Sequence, residues 1–355
     1  SGTPRFDHDP VTHAPKGILI EEARTNLLKH SENFTIAPWA NTIPGTSSRA
    51  NSSTSFYPYA GLVSITSSNG GIRQSIGGLS AQAYSWSFYI ESSNAATIAF
   101  LLENGNAAYG TFCVTTFNFT TGAFSGTSGF ASVSSVALGS GWLVKLVLPT
   151  ASGGFAANLE IRGGSGTIFK YAIPQFEAGS FPTSYIPTTT AAVTRAADNL
   201  TVPTTGGLFS LGESTLLLTS QLFGNSSTGG RFGVGIGANA TNYFALPYVS
   251  TTGGPGAFYY RASGAGPVIN GSPALSFNTL FTAAGSYSVA ANSASYSKNG
   301  VLSATGSGVA TMTPATTLYV GSSPFDPSLL TSGYYSKLKY YPARVSDTQL
   351  QLMTQ

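Results

Sequence analysis

The stretch Ser85-Trp-Ser-Phe-Tyr-Ile90 decides the fold class, because Trp86, Phe88 and Ile90 occupy every second position in it. A period of two is that of a β-strand with one buried face. The pattern returns in Gly141-Trp-Leu-Val-Lys-Leu-Val-Leu148, and Gly, Ser and Asn turns separate such runs at intervals typical of a sandwich. These runs predict an antiparallel β-sandwich around them.

The composition of the whole chain extends this prediction. The 355 residues are enough for two domains, and only 8% of them are charged, against roughly a quarter in typical soluble proteins. The 42 Gly, 19 Pro, 18 Tyr and 22 Phe favour short strands and tight turns over a helical bundle. No apolar run is long enough to span a membrane, and the net charge of +3 comes from scattered residues without a basic stripe. We therefore expect no membrane insertion and no nucleic-acid partner.

Changes in composition along the chain predict its division into domains. All His residues and many of the acids lie in the first forty residues, and a stretch rich in Pro and Thr follows Gly179. We predict an all-β chain with two antiparallel, jelly-roll-like β-sandwiches and a short C-terminal helix. The predicted parts are an extended N-terminal segment (1–45), a first sandwich (46–186), a linker (187–208) and a second sandwich (209–355).

Three local patterns predict individual elements. A hairpin is expected from Tyr109 to Phe119, with its turn at Thr120-Thr121-Gly122. Asn299-Gly300 favours a type I′ turn, because both residues tolerate a positive φ. Ser346-Asp-Thr-Gln349 has the spacing of a capping box, which predicts a short helix that ends at Met353.

Candidates for chemistry are few. His8, Asp9 and His13, with Asp7 beside them, are residue types that bind metals. Their spacing is loose and nothing downstream completes a coordination shell, so turn capping and solvent exposure are the favoured interpretation. We predict no metal and no cofactor. The two sandwiches contain no His for a Ser-His-Asp triad and no recognisable pair of carboxylates, so we predict no enzymatic activity. Cys113 is expected to be a buried thiol.

Aromatic side chains are the better candidates, because a ring can stack on the C–H face of a sugar. Strand alternation assigns Trp86 and Trp142 to the core, whereas Trp39, in a loop region, suits either packing or sugar contact. The second sandwich offers phenol and guanidinium groups between Gly-rich turns, and ordinary strand tyrosines are the alternative interpretation. The candidate glycan-binding residues are Tyr243, Tyr248, Tyr259, Arg261 and Trp39.

A second group of charged residues lies where the predicted domains join. Glu22 and Arg24 precede the first sandwich, and Arg195 and Asp198 lie in the predicted linker. Opposite charges at a junction favour ion pairing over a binding site. We predict that these four residues form an inter-domain clamp.

Several motifs resemble tailed-bacteriophage structural proteins of the tail-fibre, receptor-binding type. They are Pro4-Arg-Phe-Asp-His-Asp-Pro10, Gly17-Ile-Leu-Ile-Glu-Glu-Ala-Arg-Thr-Asn-Leu-Leu28 with Ser31-Glu-Asn-Phe34 and Trp39, Gln175-Phe-Glu-Ala-Gly-Ser-Phe-Pro-Thr-Ser-Tyr-Ile-Pro187, Thr194-Arg-Ala-Ala-Asp198, and the stretch from Thr317 to Leu350. The resemblance implies a carbohydrate-binding-module-like jelly roll followed by a laminin-G- or concanavalin-like domain. The family usually has Gly at the position of His13 and a longer region upstream, from which we expect a virion-anchoring part outside this sequence.

The resemblance also implies a function. We expect a virion protein of a tail fibre, tail tip or head fibre, located on the particle surface, that binds host-surface glycans for adsorption. Its expected partners are host glycans, other virion proteins and further copies of itself, for example in a trimer. The alternatives are a structural decoration or collar protein that contacts only other virion proteins, and a fragment of a polysaccharide depolymerase.

Overall fold

The computed structural model describes residues 4–355 except 44, 105–111, 152, 205–208, 225–230, 251–252, 304 and 325. The described chain is made of antiparallel strands and one short C-terminal helix, which confirms the all-β prediction. It forms two compact units. We call Arg24–Arg195 the first module, and Ser1–Ala23 with Ala196–Gln355 the second module. The described part of the chain has no helix long and apolar enough to cross a membrane.

The first module contains two six-stranded sheets and a two-stranded pair, and strands that are adjacent in space differ widely in chain order. From one edge to the other, the first sheet contains β11 (Phe124–Ser128), β10 (Phe112–Asn118), β9 (Thr97–Asn104), β14 (Phe155–Gly163), β7 (Gly70–Leu79) and β4 (Ala40–Asn41). The second sheet contains β12 (Ser132–Leu138), β13 (Gly141–Leu148), β8 (Tyr84–Ser92), β15 (Ile168–Ala178), β6 (Ala60–Ile65) and β5 (Ser47–Ser52). The pair is β16 (Val193–Arg195) with β3 (Arg24–Asn26).

The core of the first module lies between its two six-stranded sheets. Trp86, Phe88 and Ile90 of β8 point into it and are at most 1% exposed, as their alternation predicted. The facing sheet contributes residues such as Phe100 and Ile161. Alternating apolar residues on two facing sheets give a β-sandwich, because each sheet covers the apolar face of the other.

The second module contains a seven-stranded and a six-stranded sheet. The seven-stranded sheet contains β1 (Phe6–His8), β2 (Pro15–Ile20), β29 (Ser332–Tyr341), β18 (Glu213–Gly224), β23 (Leu280–Ser288), β24 (Ser293–Lys298) and β25 (Val301–Leu302). The six-stranded sheet contains β17 (Leu200–Pro203), β26 (Thr317–Val320), β19 (Arg231–Asn239), β20 (Asn242–Ser250), β21 (Gly253–Arg261) and β22 (Val268–Ile269). A small pair, β27 (Ser322–Ser323) with β28 (Asp326–Leu330), completes it.

The helix α1 (Asp347–Met353) closes the second module on the outer face of the seven-stranded sheet. Leu216 and Leu218 of β18 point into the core between the sheets, whereas Leu217 points outward. Leu350 of α1 is fully buried against Leu217 and Ala284. The helix therefore covers an apolar patch that the alternation of β18 leaves on the outside.

The local predictions agree with the described structure. β10 and β11 form the predicted hairpin, although Tyr109 lies outside the described residues. Asn299 and Gly300 both have positive φ, 48° and 76°, between β24 and β25. Ser346 caps α1, and its side chain accepts a hydrogen bond from the Gln349 backbone N–H. Each pattern rests on neighbouring residues, so tertiary contacts had little scope to override it.

The N-terminal segment differs from the prediction. Residues 1–45 are not one extended piece, because β1 and β2 belong to the sheet of β29, whereas β4 pairs with β7 in the first module. The predicted linker also contains two strands. β16 pairs with β3, and β17 pairs with β26. Pro and Thr suited these short edge strands as well as they suit a linker.

Asn26 of β3 connects segments of the first module that are distant in sequence. Its amide nitrogen donates to the carbonyl oxygens of Pro174 and Ile186, at 3.1 and 2.8 Å. Its side-chain oxygen accepts from the backbone N–H groups of Leu28 and Phe176, both at 3.2 Å. A fully buried amide with every bond satisfied holds these segments together.

Candidate functional site

Two neighbouring strands of the six-stranded sheet in the second module gather the predicted tyrosines. Tyr243 and Tyr248 belong to β20, and Tyr259 and Arg261 belong to β21. Tyr243 lies opposite Arg261 in the pairing of the two strands. Phe244 follows Tyr243 and Tyr260 follows Tyr259 along the strands, so their side chains lie on the opposite face of the sheet, where they point into the core.

A register shift completes the cluster. Tyr243 and Tyr248 are five residues apart, so strict alternation would place them on opposite faces of the sheet. The pairing of β20 with β21 shifts between Ala245 and Tyr248, and the shift returns Tyr248 to the face of Tyr243. Sequence periodicity does not reveal this shift.

The rings contact one another around Phe232 of β19. Its centroid lies 5.7 Å from that of Tyr243, 5.5 Å from that of Tyr248 and 5.3 Å from that of Tyr259. The Tyr248 and Tyr259 rings are 4.9 Å apart, and the Arg261 guanidinium carbon lies 5.3 Å from the Tyr259 centroid. These distances are those of favourable aromatic and cation–π contacts.

Only part of the cluster is open to solvent. Phe232 and Tyr243 are 1% and 6% exposed, so they support the other rings from below, and Tyr243 offers no ring face to a ligand. Tyr248, Tyr259 and Arg261 are half-buried, and we call them the aromatic platform. Among the described residues, none hydrogen-bonds to the hydroxyl of Tyr248 or Tyr259. Burial raises the pKa of Tyr259 above the ordinary value of a phenol.

The surroundings of the platform define its extent. Val268 of β22 pairs with Tyr259 and is 39% exposed, so it continues the apolar surface on that side. Pro324 packs over Gly235 and Gly237 of β19 and covers the sheet there. Arg261 is held in place by a hydrogen bond that it donates to the carbonyl oxygen of Gly266. Sequence reasoning missed Phe232 and Val268, and strand pairing is the signal that identifies them.

The structure corrects the prediction for Trp39. Its side chain is 4% exposed and belongs to the core of the first module. Its indole nitrogen donates to the His30 carbonyl oxygen at 2.9 Å, and its ring lies 5.2 Å from that of Phe34 and 5.7 Å from that of Tyr171. Trp39 therefore presents no face to a sugar. Its loop folds back into the sandwich, which a sequence pattern does not show.

The N-terminal acids cap turns. The Asp9 side chain accepts hydrogen bonds from the backbone N–H groups of Val11 and Thr12, at 3.0 and 2.9 Å, and these bonds lower the pKa of Asp9 to about 2. Asp7 accepts a hydrogen bond from the Tyr334 hydroxyl. His13 has a φ of 58°, a conformation that favours Gly. No group of three or more His, Cys, Asp or Glu side chains in the described part of the chain could hold a metal ion.

Two carboxylates do come close together in the first module. Glu103 of β9 and Glu160 of β14 both accept hydrogen bonds from Arg162, at 2.6 Å each. Burial raises the pKa of Glu160, which is 0% exposed. Because the guanidinium group of Arg162 bridges the two acids, they form an ion-pair network rather than face each other across a substrate cleft. Cys113 is fully buried, as predicted, and burial raises its pKa to about 11.

The residues of the predicted clamp divide between the modules. In the first module, the Arg24 guanidinium carbon lies 4.8 Å from the Phe181 centroid, and Arg195 pairs with Arg24 along the backbone. In the second module, Asp198 accepts hydrogen bonds from Arg5 and from the Glu21 backbone N–H. The backbone N–H of Glu22 donates to the Ser332 hydroxyl. A clamp between the modules stays a prediction.

Comparisons with known proteins give structural neighbours only. No family model matches the chain, and no curated protein does. Among the solved structures that resemble it is the CBM40 module of the Ruminococcus gnavus IT-sialidase bound to α2,3-sialyllactose, with 17% identity and a TM-score of 0.35 over 41% of this chain and 84% of that chain. The LG4-5 domains of the mouse laminin α1 chain match with 13% identity and a TM-score of 0.29 over 78% of this chain and 86% of that chain. The CBM22 tandem domain of Paenibacillus barcinonensis Xyn10C matches with 9% identity and a TM-score of 0.31 over 96% of this chain and 99% of that chain.

These neighbours are carbohydrate-binding modules and laminin G domains. At such identities and TM-scores they assign neither a family nor a ligand to this chain.

Proposed function

We propose that this chain is a non-catalytic virion protein of a tailed bacteriophage, part of a tail fibre, tail tip or head fibre, that binds host-surface glycans through the aromatic platform. One observation carries the glycan part. Tyr248 of β20 and Tyr259 and Arg261 of β21 share one solvent-facing surface, with their rings and the guanidinium group in contact. The hydroxyls of Tyr248 and Tyr259 bind no described residue, so they are available to a ligand.

The chemistry of the platform matches a sugar. The rings of Tyr248 and Tyr259 provide apolar faces for the C–H groups of a pyranose, and their hydroxyls can donate to or accept from sugar hydroxyls. Arg261 adds planar donors at the edge. Contacts of this kind give single-site affinities on the order of millimolar to micromolar, so adsorption would depend on several copies acting together.

The virion part of the proposal rests on the motifs quoted from the sequence. The chief alternative is a decoration or collar protein, for which the same surface would contact other virion proteins. Arg162 bridges Glu103 and Glu160, so this pair of carboxylates is not arranged around a substrate. A depolymerase would instead need two carboxylates with room for a sugar and a water molecule between them.

The test is to replace Tyr248 and Tyr259 separately with Ala and with Phe. Full-length proteins coupled to beads, which restore multivalency, are applied to a glycan array and to bacterial cells. We expect Tyr248→Ala and Tyr259→Ala to weaken binding by about three- to tenfold per site, since one aromatic contact contributes about 0.5–1.5 kcal/mol. The Phe variants keep the ring and should lose less.

Tyr341→Ala is the matched control, because Tyr341 is a half-buried tyrosine on the other sheet of the same module. It should bind like the parent, and circular dichroism should show the same fold for every variant. If the parent binds no glycan on the array, or both Ala variants bind like the parent, the platform is not a glycan site.

A further inference from the structure

A cleft on the first module, separate from the aromatic platform, has the groups of a second sugar site. Its volume is about 570 Å³, and it is lined by Glu32, Asn33, Asn51, Ser52, Ser53, Pro58 and Tyr59. The lining combines a carboxylate, two amides, hydroxyls and one aromatic ring. Pockets for polar small molecules have this mixture of a few directed polar groups and an apolar wall.

The two amides of the cleft are fixed in orientation by the protein. The side-chain oxygen of Asn33 accepts from the Thr35 backbone N–H, the Thr35 hydroxyl and the Asn51 amide, at 3.2, 2.9 and 3.1 Å. The side-chain oxygen of Asn51 accepts from the Phe34 backbone N–H at 3.1 Å. The oxygens are thus occupied, and the N–H groups left over are donors that no described residue uses.

Glu32 supplies the complementary acceptor. Among the described residues, no Lys, Arg or His forms an ion pair with its half-buried carboxylate. A carboxylate beside free amide donors can bind adjacent hydroxyls of one sugar ring, because the hydroxyls donate to the carboxylate and accept from the amides. The negative charge opposes an anionic sugar and favours a neutral or amino sugar.

Tyr59 supplies the apolar wall on an anchored loop. It is 56% exposed, so its ring is accessible to a ligand in the cleft. The loop that carries it is held by Ser55, whose hydroxyl donates to Glu91 at 3.1 Å, and by Tyr57, whose ring lies 5.2 Å from that of Tyr89. An anchored loop loses little backbone freedom when a ligand binds to a residue that it carries.

From this geometry we infer that the cleft binds a neutral or amino saccharide, with the sugar's C–H face on Tyr59 and its hydroxyls on Glu32, Asn33 and Asn51. The inference uses none of the platform residues. Together with the proposed platform, it gives the chain two separate glycan contacts, one in each module.

The test uses full-length protein that carries Tyr248→Ala and Tyr259→Ala, so that the platform contributes nothing. Saturation-transfer NMR is recorded with the methyl glycosides of glucose, galactose and mannose, with N-acetylglucosamine and glucosamine, and with sialyllactose as the anionic probe. Concentrations of tens of millimolar suit an affinity on the order of millimolar. We expect transfer to at least one neutral or amino sugar and weaker transfer to sialyllactose.

Two further substitutions assign the signal to the cleft. Tyr59→Ala should weaken binding by about three- to tenfold, and Glu32→Gln should weaken the binding of glucosamine more than that of the neutral sugars. Phe56→Ala is the matched control, since Phe56 is 50% exposed on the same loop but does not line the cleft. The inference is overturned if no neutral or amino sugar gives transfer, if sialyllactose is preferred, or if Tyr59→Ala binds like Phe56→Ala.

Discussion

Lys298 shows at the scale of one residue what the tertiary structure does to a charge. It is 1% exposed, and its ammonium group donates to the Pro273 carbonyl oxygen. Burial lowers its pKa from 10.5 to about 8, because the charged form loses its hydration. Nothing in its sequence context, Tyr296-Ser-Lys-Asn299, indicates this burial. A buried lysine is a position where pH and stability are coupled.

We predict that Lys298 makes the second module more stable as the pH rises above 8. Between pH 8 and about 10 the unfolded lysine holds a proton that the folded one has released, so the free energy of unfolding increases with pH. Over this range the free energy of unfolding of the parent should rise by about 1.4 kcal/mol per pH unit relative to that of Lys298→Met, because methionine has no proton to release. The measurement is the free energy of unfolding of both proteins, obtained from urea denaturation at pH 8.0 and at pH 9.5. An equal pH dependence in the two would contradict the prediction.

The side chains of the platform and of the cleft differ in how visible they are from sequence. Tyr248, Tyr259 and Arg261 stand out as polar aromatic and cationic residues between Gly-rich turns. Asn33 and Asn51 look like ordinary loop residues, because their fixed orientation depends on hydrogen bonds between segments distant in sequence. Chemical type can be read from one residue, whereas orientation requires its partners.

At the scale of elements, the helix α1 shows which part of its stability comes from local contacts and which part comes from packing on the sheet. Its capping box forms from Ser346 and Gln349 alone. A seven-residue helix is nevertheless unstable by itself in water, so it depends on packing. Leu350 provides this packing, against Leu217 of β18.

Two leucines of this helix make a matched test. We expect Leu350→Ala to lower the free energy of unfolding by about 2–5 kcal/mol, because the side chain is fully buried and its removal leaves a cavity. Leu352 is 61% exposed, so Leu352→Ala should change the free energy of unfolding by less than about 0.5 kcal/mol. Chemical denaturation of the three proteins measures the difference. Similar losses in both variants would show that the helix is not held by this contact.

At the scale of the whole molecule, the second module is built from two separate stretches of chain. Ser1–Ala23 contributes β1 and β2, and Ala196–Gln355 contributes the rest. Ile18 of β2 pairs with Tyr335 of β29, and Ile20 is 2% exposed in the core of this module. The first module, Arg24–Arg195, is continuous and has its own core.

This arrangement predicts different behaviour for fragments. The fragment 24–195 should fold cooperatively by itself, since it keeps both of its sheets. The fragment 196–355 lacks β2, which leaves the edge of β29 and the pocket for Ile20 uncovered, so it should be less stable. Addition of a peptide of residues 1–23 should raise its melting temperature, measured by circular dichroism. A melting temperature that the peptide does not change would contradict the role assigned to β2.

Properties that depend on near neighbours along the chain could be predicted from the sequence. Strand alternation in Ser85–Ile90, the Asn299-Gly300 turn and the Ser346 cap each require only a few consecutive residues, because backbone preferences and side-chain period act over that range. The tertiary structure alone decided that Trp39 is buried, that Tyr248 joins Tyr259 through a register shift, and that β2 belongs with β29. These features depend on which distant strands pair, and pairing is chosen by the burial of whole faces at once.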